Sequence, residues 1–342
     1  MKKRLMGLAL AFMLLAPTIV FAEDALVLPA RVGRVYAVPT FIHASQAFDV
    51  DGNRVDANTT NMFNLGFALE YGITSWITAA VQWTPGVNVW SNVDLGDGLE
   101  GRVSGRGDLF AGAKLQIMGP AAPITNNRFR LAFAPGVKIP LGRPDFSGEP
   151  AVLATGGTPN VARLDNHVFA FGLRSFFDFV ITDFLFINLF NEVIFHPVSG
   201  RFGDLGLGQA AQAAAIGAAT GMDIAGADVD FRYQLRFQIG PQFNHLFQAP
   251  LISFSAALPL TYVFTPGFTV ADDARTVIMA AGQPDPNQGN VHNLFIRPNV
   301  SAFFMGLPLP MEFVLGYRIP LWGENVSAQH VVDFQIRFYF SF

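Results

Sequence analysis

The side chains with the most chemical character in this chain are cations set into alternating apolar runs. Over 231–239, Phe231, Tyr233, Leu235, Phe237 and Ile239 alternate with Arg232, Gln234, Arg236 and Gln238. An extended strand sends successive side chains to opposite faces, so both arginines share one polar face; a helix would scatter them around its circumference. The same phase applied along the chain adds Lys114, Arg130, Lys138, Arg174, Arg297, Arg318 and Arg337 to polar faces, together with Glu70, Asp178, Glu192, Glu312 and Asp333. That is nine basic groups against five acidic ones in a chain whose net charge is -4. A confined space lined in this way attracts anions, a carboxylate head group among them. The same charges could instead pair across neighbouring strands and satisfy one another. Arg232 and Arg236 have few acidic neighbours in sequence and lean toward a ligand, with Lys114 and Lys138 beside them as head-group candidates. Phe110, Phe176, Phe186, Phe190 and Phe303 fall on the same faces, where they either form an apolar path or fill space.

Strands must position these groups. In the last residues, Val332, Phe334, Ile336, Phe338, Phe340 and Phe342 fall on one face, and Asp333, Gln335, Arg337, Tyr339 and Ser341 on the other. An apolar face carried to a terminal Phe suits lipid outside and a polar interior, the dyad pattern of a transmembrane barrel. A closing aromatic strand of this kind is what outer-membrane assembly machinery recognises. Strands are expected at about 31–47, 59–71, 75–84, 107–118, 128–141, 165–180, 184–197, 228–240, 250–264, 291–305, 310–322 and 328–342. The expected fold is therefore an all-β, transmembrane antiparallel β-barrel of about 12 strands. Connections after the even strands are short and rich in turn residues, such as Gly119-Pro120, Thr182-Asp183 and Gly240-Pro241. The others are mostly long, which predicts short periplasmic turns, long extracellular loops and both termini inside. Two long loops predict helix, at Gly206 to Ala219 and Val270 to Ala281, either as rim cover or as an apolar docking surface.

Composition agrees with this placement. The chain has 35 Phe, 33 Gly and 22 Pro, and 14% of its residues are charged, against about a quarter in an average soluble domain. Met1 to Ala22 reads as a secretory signal, with Lys2, Lys3 and Arg4, an apolar run from Leu5 to Leu15, and Val20-Phe21-Ala22 before the cut. One barrel domain is expected over 23–342, in the cell outer membrane and monomeric. With no cysteine there is no disulfide framework and no thiolate site. No long basic run exists to hold nucleic acid. The six histidines have no metal-helix spacing, and no Gly-x-Ser-x-Gly elbow occurs. His330 beside Asp333, or His292 near Ser301, is the best the chain offers for a hydrolase; the expectation is no enzyme and no cofactor. Ala25-Leu26-Val27-Leu28-Pro29 either enters the lumen as a small plug or leads into the first strand.

Three stretches carry a resemblance. Phe48-Asp49-Val50-Asp51-Gly52-Asn53-Arg54-Val55, then Gly105-Arg106-Gly107-Asp108-Leu109 with Gly112-Ala113-Lys114, then Gly136-Val137-Lys138-Ile139-Pro140-Leu141-Gly142 follow in order. They resemble the outer-membrane family associated with the meta pathway of phenol degradation, which is similar to the long-chain fatty-acid channel superfamily. The resemblance covers roughly the first half of the chain and implies passive uptake of hydrophobic compounds, fatty acids or aromatic hydrocarbons. Its partners would be that hydrophobic solute and outer-membrane lipid. The long N-terminal hatch of the fatty-acid channel has no counterpart here. A polar or anion-preferring general porin and a structural or adhesive barrel are the alternatives.

Overall fold

The computed structural model describes residues 24–142, 145–249, 251–283, 285–287 and 289–341. The predicted signal segment and the closing Phe342 lie outside them. Twelve antiparallel strands close into a barrel. They are β1 Val32–Phe48, β2 Arg54–Thr74, β3 Ile77–Gly96, β4 Leu109–Gly119, β5 Phe129–Ile139 and β6 Ala170–Thr182. There follow β7 Leu185–Phe195, β8 Tyr233–Ala249, β9 Ile252–Ala257 with Leu260–Thr265, β10 Val291–Ile296 with Asn299–Phe304, β11 Met311–Glu324 and β12 His330–Ser341. Each pairs with the next, and β12 returns to β1, from Val32↔Ser341 to His43↔His330. No helix among the described residues is long and apolar enough to cross a membrane; the strands do the spanning, and the pairing of β12 with β1 leaves no edge open.

The alternation sorts the two faces as expected. Phe67, Leu69, Phe171, Leu173, Phe237, Leu315 and Val332 are exposed on the outside, while Glu70, Asp178, Glu312, Asp333 and Arg337 are buried inside. The connections at the end where the chain enters β1 are short, and the long ones lie at the other end, beside two short ones at 49–53 and 325–329. β2 and β3 run past the expected ends of 71 and 84, to Thr74 and Gly96. Over Asn61 to Val93 the ladder continues, with Asn61↔Asn92 and Met62↔Ser91. The β3 half of this ladder lies beyond Pro85-Gly86, which read as the strand's end, and the pairing continues past them with Phe63↔Trp90 and Thr60↔Val93. β9 and β10 break at Pro259 and Pro298, residues without an N–H for the ladder.

Helices sit among the long connections: α1 Glu149–Ala154, which the sequence did not suggest, α2 Leu207–Thr220 and α3 Asp272–Ala280. α2 stops at Gly221, whose φ of 73° is left-handed. Ala213 and Ile216 of α2 pack with Ala274 and Ile278 of α3, over Phe202, Ile224, Val229 and Val270. A small sheet of Gly200–Arg201, Asp228–Asp230 and Thr269–Val270 ties the two loops together. The apolar helix faces are consumed by this core, so the pair forms a cap on the mouth.

Candidate functional site

The lumen is stacked in layers of charge and aromatic rings. Near the end with short turns, Arg34 of β1 forms an ion pair with Glu70 of β2. The Tyr36 hydroxyl donates to Glu70 Oε1 at 2.9 Å. Arg337 Nη1 donates to Glu312 at 3.0 Å and the Tyr339 hydroxyl donates to the same carboxylate at 2.8 Å; farther toward the mouth, Arg297 pairs with Asp333. Midway, Arg174 donates to Glu192 at 2.5 Å and to Gln82 Oε1 at 2.7 Å. At the mouth, Lys138 bridges Asp165 at 2.5 Å and Asp108 at 3.7 Å. Pairing with carboxylates thus absorbs most of the cations assigned to the interior, on neighbouring strands for Arg130, Arg174 and Arg337 and from elsewhere for Lys114, Lys138 and Arg297.

The aromatics lie under those cations. Arg174 stands 3.9 Å above the Phe110 ring, Lys114 4.1 Å above Phe176, Arg130 5.5 Å from Phe186 and Arg236 5.7 Å from Phe190. A ring face is electron-rich, so each cation gains a second partner beside its carboxylate. Phe303 instead meets Tyr339 edge to face at 5.4 Å. Phe110 lies flat because the wall beneath it has no side chains. A Cβ on Gly172 would come within 2.9 Å of its ring, and one on Gly136 within 2.3 Å.

Two predicted site residues behave differently from the rest. Arg232 precedes β8 and is exposed at the mouth, outside the lumen where the extrapolated strand had put it. Arg236 faces inward beside Glu192, whose carboxylate Arg174 already holds, and its Nε is buried without a hydrogen-bond partner among the described residues. Sequence reasoning missed Arg34, Tyr36 and Gln82, although the β1 alternation with Val35, Ala37 and Phe41 outside would have found the first two. It also missed Asp24, which belongs to no strand.

Asp24 to Pro29 enters the lumen. Ala25 N donates to Asp178 Oδ2 at 3.0 Å, and Leu28 N to Thr78 Oγ1 at 2.8 Å. Lys114 contacts the Asp24 main-chain oxygen and stands 3.7 Å from its carboxylate. Gly72 permits the entry, since a Cβ there would lie 2.1 Å from Pro29 O. Beside this segment remains a cavity of about 50 Å³, lined by Arg34, Glu70, Gln82, Phe110, Lys114, Arg174 and Phe176 together with Leu26, Val27 and Leu28. That is room for a few waters. Across the lumen, β8 to β10 present buried neutral groups: Gln238, Gln242, Ser253, Ser255, Thr261, Asn299 and Ser301.

The two hydrolase pairs do not form. His330 bonds the Tyr317 hydroxyl at 2.8 Å on the outside, and Asp333, three residues on, faces the lumen. His292 likewise bonds Tyr262 at 2.7 Å outside, while Ser301 is buried inside. Among the described residues no group of three or more His, Asp or Glu side chains could hold a metal.

Comparison with known proteins places this geometry. No protein-family model matches the chain, and neither does any curated protein. Among solved structures, an outer-membrane channel from Pseudomonas putida aligns with a TM-score of 0.61 at 13% identity, covering 94% of this chain and 100% of that one. The chain has an outer-membrane barrel fold. Looser likenesses are the β domain of the Bordetella autotransporter BrkA, with a TM-score of 0.44 at 11% identity over 91% of this chain and 100% of that one. A FadL homologue from Pseudomonas aeruginosa gives 0.37 at 10% identity over 91% and 90%.

Proposed function

We propose that this barrel is a passive channel of the outer membrane for hydrophobic compounds, favouring those with one acidic group. The carrying observation is the central cavity, where Arg34, Lys114 and Arg174 converge with Phe110, Phe176 and the aliphatic side chains of Leu26, Val27 and Leu28. Cations over rings offer a carboxylate its counter-charge and an apolar body a surface. The fold shared with an outer-membrane channel supports the location and the passive mode. Lys114, Arg174 and Phe176 are then first-contact residues, and Lys138, Arg232 and Arg236 draw the acid in from the mouth. Phe190, Phe303 and Arg297 hold the wall. Export by residues 1–22, membrane insertion through the terminal strand, and a monomer in lipid complete the reading.

The test is uptake into liposomes carrying the purified protein. Entry of 4-phenylbutanoate faster than glucose of similar size is expected, and equal or slower entry would sink the substrate class. A second reading, a polar porin, is favoured by the neutral wall of β8 to β10, where Gln242 Oε1 and Asn299 Oδ1 are buried without a hydrogen-bond partner among the described residues. Large, steady ionic currents in planar bilayers would move the assignment there.

A further inference from the structure

We infer that the N-terminal segment occupies the solute's own site: Asp24 to Leu28 is an internal copy of an apolar acid. The inference rests on the channel reading above and names its head-group site.

The chemistry of the segment matches the solute class. One carboxylate, Asp24, is followed by Ala25, Leu26, Val27 and Leu28. The carboxylate lies 3.7 Å from Lys114 Nζ and is only 2% exposed. Lys114 is simultaneously held 4.1 Å over Phe176. Ala25 is wholly buried in a cluster with Ala132, Ala134, Phe176 and Phe190, and Leu28 packs on Phe303 and Tyr339. A cation flanked by a ring, followed by an apolar trough, is what an amphipathic acid would need.

The attachment of the segment is also that of an occupant. Barrel pairing begins at Val32. Ahead of it the anchoring bonds from this segment's backbone N–H groups to the wall are Ala25 N to Asp178 and Leu28 N to Thr78. Withdrawal would therefore break no strand pairing. Asp178 would retain Arg130, 3.8 Å away, and Asn188, whose amide donates to it at 2.8 Å. Lys114 alone would lose its nearest carboxylate, and a buried cation without a partner is costly. A carboxylate from outside restores that partner, so solute and segment exchange at Lys114. Segment occupancy then lowers the apparent affinity by the fraction of molecules whose site is free.

The experiment measures 4-phenylbutanoate binding by calorimetry to the wild-type barrel, to Asp24→Asn, to Asp24→Asn/Lys114→Gln and to a deletion of residues 24–28, each checked for folding by heat-modifiable mobility. Asp24→Asn should bind about tenfold more tightly than wild type, because one charge-assisted contact no longer competes. The deletion should bind at least as tightly, and the double variant should lose the gain. Equal affinity in wild type and Asp24→Asn would overturn the inference; if the deletion fails to fold, Asp24→Asn still decides. Uptake of 4-phenylbutanoate by wild type with no change in Asp24→Asn removes this inference and leaves the channel reading. Absence of both uptake and binding in all forms removes both.

Discussion

Glu192 is the residue on which the middle of the lumen turns. It accepts from Arg174 at 2.5 Å and faces Arg236 across the β7–β8 pair. One carboxylate is shared by two cations, so their losses should differ. Glu192→Gln leaves two guanidinium groups without a counter-charge, and breaking a buried pair from one side costs roughly 3–5 kcal/mol. A lower heat-modification temperature and a stronger preference for chloride over potassium in bilayer recordings are expected. Arg236→Gln leaves the Arg174 pair intact, so its stability cost should stay within about 1 kcal/mol while anion preference falls. Equal destabilisation by the two changes would mean that Arg236 is itself a structural partner. The sequence could place both residues on one inner face, because period-2 alternation is local. It could not tell Arg236 from Arg232, since the difference lies in where β8 begins, at Tyr233. Nor could it show that Phe110, Phe176, Phe186 and Phe190 lie beneath cations, as those partners come from residues distant in sequence or on neighbouring strands.

At the level of elements, three adjacent strands cooperate around one ring. Phe110 of β4 lies against Gly136 of β5 and Gly172 of β6. Gly172→Ala would bring its Cβ within 2.9 Å of the ring edge and push Phe110 into the lumen. Overpacking of this kind costs about 1–3 kcal/mol, and single-channel conductance should drop. Adding Phe110→Ala should restore it; if conductance is unchanged by Gly172→Ala, the ring does not border the path. The cap has its own sensitivity. His196, just beyond β7, is pushed down to about 4 by burial and then by the nearby Lys138, and burial also lowers His167. Asp165 and Arg163 face the same group, the former favouring the charged ring and the latter opposing it. A histidine with a folded pKa below its ordinary 6.5 contributes stability that is complete above 6.5 and is lost as pH falls toward 4. Cap loops 196–232 should therefore exchange amide hydrogens faster at pH 4.5 than at pH 7, after correction for intrinsic rates. His196→Gln should flatten that dependence. The number of strands and the two cap helices were legible because alternation and Ala-rich composition are strong local signals. The outward extensions of β2 and β3 were not: β2 begins earlier, over the polar Arg54, Asp56 and Asn58, and β3 continues past Pro85-Gly86, which read as its end.

Across the whole molecule, the inside and outside of the barrel are solved by different means. Inside, charge is paired and rings are capped; outside, Phe41, Phe67, Leu173, Phe237, Leu315 and Val332 stand exposed. In water that belt would drive aggregation, and in a bilayer it is the stabilising contact. Toward the mouth the belt gives way to amphipathic rings: Tyr262 bonded to His292, Tyr317 bonded to His330, and Trp322 beside His292 at 6.1 Å. Such side chains keep an apolar body in lipid and a polar tip at the head groups. The arrangement fixes a depth scale that can be measured. Leu315, 48% exposed, lies within the belt on β11, and Trp322, 37% exposed, lies at its mouth-side margin on the same strand. An arginine at mid-depth should cost about 2–4 kcal/mol, and one near the interface about 0–1. Reversible unfolding of Leu315→Arg and Trp322→Arg in lipid vesicles compares the two positions, with Trp322→Ala correcting for the lost ring. If Leu315→Arg costs no more than the arginine at 322 after that correction, the barrel does not sit in the bilayer at this height. The barrel mouth, the cap and the head-group layer would then have to be reassigned together.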